Sequence, residues 1–377
     1  MKKIMFLTGT RADYGKMKSL MLALEKSDDF EVYIFVCGMH LYEKFGYTYR
    51  EVIKDGYKNV YVAFGLNGSQ IACDNLGNTV CILGGYVDNI KPDMIVVHGD
   101  RMDALAGAVV GILNNILVAH IEGGELSGTM DESIRHAISK FAHIHFVCNE
   151  KSKMRLLQMG EEEKRIYIIG SPDIDIMLSE NLPSIYETKK RYEIPFEEYG
   201  ILMYHPVTTE YNMIGRKIRA VVNALEESGE NYIVIYPNND FGSEIIVSEY
   251  ERIKGNPRFC IFPSIRFEYF LTILKHSKFV IGNSSAGVGE TGIYGIPAID
   301  IGTRQNKRYT ITASTNIQHI QEDEKQIIDA INQVELYRKK VFLFGRGQST
   351  KEFLKIVSDK KFWDINIQKQ FIDYDFL

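Results

Sequence analysis

Lys3-Ile4-Met5-Phe6-Leu7-Thr8 runs directly into Gly9-Thr10-Arg11-Ala12-Asp13-Tyr14-Gly15-Lys16. The unbroken apolar run reads as a strand covered on both faces, and the turn at Gly9 and Thr10 opens a helix. The same order returns far downstream, where Lys278 to Ile281 leads into Gly282-Asn283-Ser284-Ser285-Ala286-Gly287-Val288-Gly289-Glu290. A helix start of this kind aims free backbone N–H groups and the positive end of the macrodipole at an anion. Two such turns, one in each half of the chain, predict one negatively charged ligand held between two domains.

Working outward from the first strand, apolar runs alternate with amphipathic stretches: Val32 to Cys37, Val60 to Phe64, Met94 to His98, Ile116 to Ile121, His145 to Cys148 and Ile166 to Ile169. The pattern pauses near Pro183 and Pro195. It restarts with Ile201 to Tyr204, Tyr232 to Tyr236, Phe259 to Phe262, Phe279 to Ile281 and Ala298 to Ile301. Continuous apolar strands separated by helices predict an α/β chain of two Rossmann-like, doubly wound parallel sheets. Turn chemistry places the boundary between Ser171 and Pro195, giving a first domain over 1–178 and a second over 179–359. A length of 377 residues agrees, since a single core stops growing at about 250–300 residues.

Composition narrows the function classes. With a formal net charge of −5 there is no global positive field to gather a polyanion, so nucleic acid is not expected as a partner. Cys37, Cys73, Cys81, Cys148 and Cys260 are scattered without metal-ligand spacing, which predicts reduced thiols and no metal. The apolar run after Met1-Lys2-Lys3 is interrupted at once by Arg11 and Asp13, so it is a strand and not a signal peptide. No run approaches the ~20 apolar residues of a membrane span, and the expectation is a cytoplasmic protein. A Walker phosphate loop and a Gly-x-Gly-x-x-Gly after the first strand are both missing, which argues against ATP hydrolysis and a tightly bound nicotinamide. No cofactor is expected.

In doubly wound sheets ligands lie beyond the carboxyl ends of the strands. The polar residues that stand out here sit at those ends: Arg11, Asp100, Glu122, His205, Asn239, and Ser284 with Ser285. Asp100, Glu122 and Asp131 form a carboxylate set able to divide acid and base roles by shifting one another's pKa values. The plainer reading makes Asp100 and Asp131 helix N-caps. Arg11 and Lys16 suit a phosphate, with a solvated surface pair as the alternative. Ser284 and Ser285 suit a phosphate cradle or a simple cap. His205 reads as a hydrogen-bonded strand-end histidine or a site residue, Glu290 as a ribose partner or a solvent-facing carboxylate, and Phe267, Tyr269 and Phe270 as core, with one of the three open to a nucleobase contact.

Together, Gly9-Thr10-Arg11, His98-Gly99-Asp100-Arg101, Glu122-Gly123-Gly124-Glu125, Asp131 with Arg135-His136, His205-Pro206, Asn238-Asn239-Asp240, Gly282-Asn283-Ser284-Ser285 and Gly302-Thr303-Arg304 resemble the UDP-N-acetylglucosamine 2-epimerases. The resemblance runs from residue 3 to about 308 and lies with the hydrolysing branch, whose members make N-acetylmannosamine for bacterial sialic acid. The non-hydrolysing branch shows Glu-Ala-Gly-Leu where this chain has Glu122-Gly123-Gly124-Glu125. The resemblance implies a GT-B fold with an interdomain cleft, a C-terminal helix at about 360–377 packed back on the first domain, and UDP-GlcNAc and UDP as ligands. It further implies a homodimer or homotetramer. The implied reaction is anti elimination of UDP to 2-acetamidoglucal followed by hydration, with Asp100, Glu122 and Asp131 as acids and bases and His205 beside them. Arg11, Lys16, Arg135, Asn239, Phe270, Ser284, Ser285, Glu290 and Arg304 would contact the UDP-sugar. One departure stands out, because relatives often carry Arg where this chain has Gly289. Kindred readings are a 2-epimerase of UDP-N,N'-diacetylbacillosamine, a GT-B glycosyltransferase, and a non-catalytic nucleotide-sugar sensor.

Overall fold

Every strand pairing in the computed structural model, which describes residues 1–64, 72–309 and 315–373, is parallel. The first sheet comprises β1 (Lys2–Thr8), β2 (Phe30–Val36), β3 (Asn59–Val62), β4 (Met94–His98), β5 (Leu117–Ile121), β6 (Ile144–Val147) and β7 (Ile166–Ile168). The second comprises β8 (Gly200–Met203), β9 (Tyr232–Ile235), β10 (Phe259–Phe262), β11 (Phe279–Gly282), β12 (Ala298–Ile301) and β13 (Ile317–Ile320). All twelve apolar runs singled out in the sequence are strands. The thirteenth, β13, escaped notice because Gln318 and His319 interrupt its apolar pattern.

The strand order is β3-β2-β1-β4-β5-β6-β7 in the first sheet and β10-β9-β8-β11-β12-β13 in the second. Each order reverses direction once, between β1 and β4 and between β8 and β11. At such a reversal the connections leave on opposite faces and open a crevice at the carboxyl edge. The residues that follow these four strands are Gly9-Thr10, Gly99-Asp100, His205 and Asn283-Ser284. Both doubly wound sheets thus bring quoted motifs to their own switch points.

The chain divides into two compact units. One contains Met1–Glu125, Asp131–Ser179 and the chain from Phe344 onward, and the other contains Leu126–Met130 and Glu180–Leu343. The first buries Ile4, Phe6, Ile34, Val96, Ala119 and Phe146 from its strands against Met17, Leu20 and Leu24 of the helix Arg11–Glu25. The second packs Leu202, Val234, Ile281 and Ile299 against Ile218, Val222 and Leu225 of the helix Ile214–Ser228.

The C-terminal helix lies at Thr350 to Ser358, the tail stretch the sequence offered for it, and not over 360–377. It occupies Ser349–Val357, and Lys360–Trp363 forms only a single 3-10 turn. Apolar spacing explains the placement: Phe353, Val357 and Phe362 are all buried in the core of the first unit, with the Phe353 ring 4.9 Å from that of Phe146. Asp359 then accepts the N–H of Lys361 with its carboxylate and caps the 3-10 turn.

Candidate active site

At the end of β1 the chain supplies its own anion. Thr10 caps the helix Arg11–Glu25 in a capping box with Asp13. Asp13 Oδ2 accepts the N–H of Gly9 at 3.0 Å, and Oδ1 accepts those of Thr10 at 2.9 Å and Tyr14 at 2.6 Å, together with the Thr8 hydroxyl at 2.8 Å. Asp13 thus takes the N–H groups of Gly9, Thr10 and Tyr14, which the sequence reading counts among donors open to a ligand. The flanking cations also find carboxylates within the unit: Arg11 pairs with Glu51 at 2.6 Å, and Lys16 lies 3.5 Å from Glu122 and 3.6 Å from Asp173.

Glu122 follows β5 in a left-handed conformation, φ +62°, that a non-glycine residue adopts at a cost. Its backbone is held there because its N–H continues the ladder to Phe146 O at 3.0 Å while its carbonyl accepts from Arg135 Nη1 at 2.8 Å. The two glycines behind it are needed for space. A Cβ at Gly124, where φ is +73°, would fall 2.3 Å from Ser152 O, and one at Gly123 would sit 3.0 Å from both His120 Nδ1 and Ser139 Oγ.

The Glu122 carboxylate is buried, 4% exposed, among donors. Ser171 Oγ donates to Oε1 at 2.6 Å, and His98 Nε2 lies 3.4 Å from the same oxygen. Burial disfavours its charge, yet Lys16, His98 and the Ser171 hydroxyl outweigh that penalty and hold the carboxyl well below the ordinary carboxylate range. Glu122 is therefore ionised at neutral pH.

Asp100 follows β4 and is joined to Glu122 through Arg135. This arginine, 1% exposed, gives Nη2 to the Asp100 carboxylate and Nη1 to the Glu122 carbonyl. The turn ahead of Asp100 is held by His120, whose Nε2 donates to Gly99 O at 2.7 Å while Nδ1 accepts from Ser139 Oγ at 3.0 Å. Burial pushes the His120 pKa down to about 3, so the ring is neutral and acts as a fixed spacer. Asp131 is the second residue of the helix Met130–Phe141, inside it and not its cap, one turn ahead of Arg135.

At the second unit's switch point, His205 and Asn283 exchange hydrogen bonds: the His205 N–H donates to Asn283 Oδ1 at 2.6 Å, and Asn283 Nδ2 donates to His205 O at 2.9 Å. His205 Nδ1 accepts the N–H of Asn238 at 3.0 Å, which places the ring proton on Nε2. Arg304 Nη1 and Gln305 Nε2 both donate to Asn283 O, at 3.2 and 2.9 Å. Gly282 permits this convergence, because with φ +132° a Cβ there would lie 2.1 Å from Met203 O.

Beyond Ser284 the backbone forms a 3-10 turn, Ser285–Gly287, and then a short helix, Glu290–Tyr294, instead of one continuous helix. Gly287 and Gly289 in the intended first turns weaken helix propagation. Ser284 is a cap, its Oγ accepting the N–H of Ala286 at 3.3 Å, and Ser285 is half-buried beside it. Glu290 becomes the first helical residue instead of a second-turn one, and is buried. Phe270 is buried within Phe267–Lys275, and Asn239 is half-buried after β9.

The structure thus gathers Asp100, Glu122, Arg135 and Lys16 in one unit, and His205 and Arg304 in the other. Sequence reasoning gave Ser171, Asp173, His120 and Asn283 no part in the site. Ser171 and Asp173 do follow a strand, β7, and the strand-end rule applied to Ser171-Pro172-Asp173 would have found them. Among the described residues, no group of three or more His, Cys, Asp or Glu is arranged to hold a metal ion, and no helix is long and apolar enough to cross a membrane.

Two doubly wound parallel sheets with a carboxylate cluster at one switch point define an α/β protein of the GT-B type. A family model described as UDP-N-acetylglucosamine 2-epimerase matches residues 22–358. The chain is 47% identical over 378 residues to a UDP-N-acetylglucosamine 2-epimerase of Neisseria meningitidis serogroup B, covering 99% of each. It is 34% identical to a UDP-N,N'-diacetylbacillosamine 2-epimerase (hydrolyzing) of Legionella pneumophila, over 81% of this chain and 82% of that one. A solved structure of UDP-GlcNAc 2-epimerase from Neisseria meningitidis bound to UDP-GlcNAc superposes with a TM-score of 0.79 at 19% identity, covering 94% of this chain and 99% of the other, a likeness of fold. The chain belongs to the UDP-N-acetylglucosamine 2-epimerase family.

Proposed function

We propose that this protein is a hydrolysing UDP-N-acetylglucosamine 2-epimerase that converts UDP-GlcNAc and water to N-acetylmannosamine and UDP, the entry step to sialic acid. The observation that carries the reading is the Glu122 carboxylate, buried against Lys16, His98 and the Ser171 hydroxyl, in a residue tied through Arg135 to Asp100. A weakly acidic C–H next to a departing diphosphate needs ionised carboxylates held in fixed positions. In the first step a carboxylate takes the C-2 proton while the C-1–oxygen bond to UDP breaks, leaving a C-1–C-2 double bond. In the second, water adds its oxygen to C-1 and C-2 is reprotonated on the other face.

Asp100, Glu122 and Asp131 divide these acid and base roles, with His205 completing the set. Ser284, Ser285, Arg304 and Arg11 hold the diphosphate that leaves as an anion, Glu290 the ribose, Phe270 the uracil, and Lys16, Arg135 and Asn239 further polar groups of the substrate. The hydrolysing outcome is supported by Glu122-Gly123-Gly124-Glu125 and by the hydrolysing activity in the name of the Legionella relative. The enzyme acts in the cytoplasm as a homodimer or homotetramer. The same Legionella relative favours a second donor, UDP-N,N'-diacetylbacillosamine, differing at C-4 and C-6 of the sugar.

Parallel assays of UDP release from both donors, with the sugar product identified by NMR, distinguish the two. Asp100→Asn, Glu122→Gln and Asp131→Asn are each expected to lower turnover at least ~100-fold while UDP still binds. Near-normal rates in two of the three would remove the assignment.

A further inference from the structure

The segment after Trp363 reaches the far end of the helix that carries Asp131 and Arg135. Lys369 Nζ donates to Ser139 O at 3.1 Å, Lys140 O at 2.8 Å and Ala142 O at 2.7 Å, and lies 2.5 Å from Glu161 Oε2. The first two are among the last carbonyls of Met130–Phe141, which have no partner inside the helix and mark the negative end of its dipole. An ammonium ion there answers both needs, and its side chain is only 18% exposed.

Neighbouring tail residues fix the lysine in place. His143 accepts the N–H of Val118 on Nδ1 at 3.1 Å, so its Nε2 carries the proton and donates to Ile367 O at 2.9 Å. The N–H of Ile372 donates to Gly160 O at 3.2 Å, and the Phe371 ring covers Gly160 so closely that a Cβ there would lie 2.5 Å from it.

From Lys369 an unbroken series of contacts leads to the carboxylates. Ser139, whose carbonyl accepts from Lys369, gives its hydroxyl to His120, and His120 holds the carbonyl of Gly99, the residue before Asp100. One turn earlier in the same helix, Arg135 holds the Asp100 carboxylate and the Glu122 carbonyl. A slide of the helix along its axis would shift both connections together.

We propose that Lys369 is a positioning residue for the reaction, clamping the C-terminal end of Met130–Phe141 so that Ser139 and Arg135 hold Asp100 and Glu122 in working geometry. The inference rests on the reading of those carboxylates as the acid–base set. The family match ends at residue 358, so this clamp lies outside the region the family model describes.

The test compares wild type with Lys369→Met, Lys369→Gln and Lys369→Arg. Lys369→Met is expected to lower kcat by ~10- to 100-fold with KM within about threefold, as for a small displacement of reacting groups. Lys369→Arg restores most of the rate, and Lys369→Gln, which keeps two N–H donors without the charge, falls between and serves where the methionine variant does not fold. Backbone hydrogen exchange is read alongside, with faster exchange expected at Gly99, Asp100 and Glu122 as well as in the last turn of the helix. Unchanged kcat, or a rate loss that Lys369→Arg does not recover, overturns the proposal. If wild type itself does not turn over UDP-GlcNAc, the functional reading fails separately and the exchange data decide the clamp: faster exchange at Gly99–Glu122 upholds it, and change confined to the tail and the last helical turn overturns it.

Discussion

Arg135 and Asp100 form an ion pair in which the guanidinium is almost wholly buried and the carboxylate keeps 22% of its side-chain surface exposed. The arginine is thereby structural toward the Glu122 carbonyl and chemical toward the Asp100 carboxylate. Removing it strands a charge and the Glu122 carbonyl, so Arg135→Met is expected to lose about 2–4 kcal/mol in urea unfolding. Arg135→Lys cannot span both acceptors with one ammonium, and should recover part of the stability but little of the turnover. Full activity in the lysine variant would show that the fork is dispensable.

Asn283 holds His205 by both its N–H and its carbonyl. Asn283→Ala removes two hydrogen bonds from a buried site, and about 1–3 kcal/mol of stability with them. Because His205 is assigned to the acid–base set, kcat should fall at least ~10-fold with little change in KM. Asn283→Asp retains the acceptor but not the donor and should rank between the two. A kcat equal to wild type in the alanine variant would detach His205 from the reaction.

The Glu161 carboxylate, 1% exposed, has its pKa held down to about 2. Burial alone would raise it, but His145, Lys369 and Lys140 outweigh burial and favour the ionised form. A depressed carboxylate contributes stability that is fully present above the unfolded value near pH 4.5 and lost as pH falls toward 2. Glu161→Gln should therefore cost on the order of 3 kcal/mol at pH 7, and the gap to wild type should close as pH falls from about 4.5 toward 2. Urea unfolding at several pH values measures it, and a gap independent of pH would contradict the ion-pair account.

Gly289 is the point at which the sequence departs from the pattern it resembles. Its backbone lies at φ −85° and ψ −61°, and an added Cβ would meet nothing nearer than Ser285 O at 3.6 Å. A Cβ fits there without strain, so Gly289→Arg should express normally and bind UDP about 3- to 10-fold more tightly by one added charge-assisted contact. Calorimetric titration with UDP reads the change, and weaker binding would exclude a cation role at this helix.

Much of the fold is legible in the chain because fully buried parallel strands are continuous apolar runs, as Met94 to His98 and Phe279 to Ile281 show. β13 is less legible, since its polar residues find partners only in the fold: buried Gln318 donates to Ala330 O at 3.0 Å, and His319 lies 3.2 Å from the Asp300 carboxylate. Strand-end logic pointed to Asp100, Glu122 and His205, and these do follow β4, β5 and β8. It could not find what each residue touches, because Lys16 meets Glu122 and Asp173 only through the folded sheet, across more than a hundred residues of sequence. Asp13 is the instructive miss. Thr10 and Asp13 stand at capping-box spacing in the sequence itself, and that spacing already signals that Asp13 takes the Thr10 N–H.

Incubation of the wild-type enzyme with UDP-GlcNAc in deuterated water, followed by NMR of the sugar, tests the central claim most directly. Carboxylate-driven elimination and hydration predicts free UDP together with N-acetylmannosamine carrying deuterium at C-2. Release of UDP with protium retained at C-2, or a deuterated sugar still attached to UDP, would contradict it.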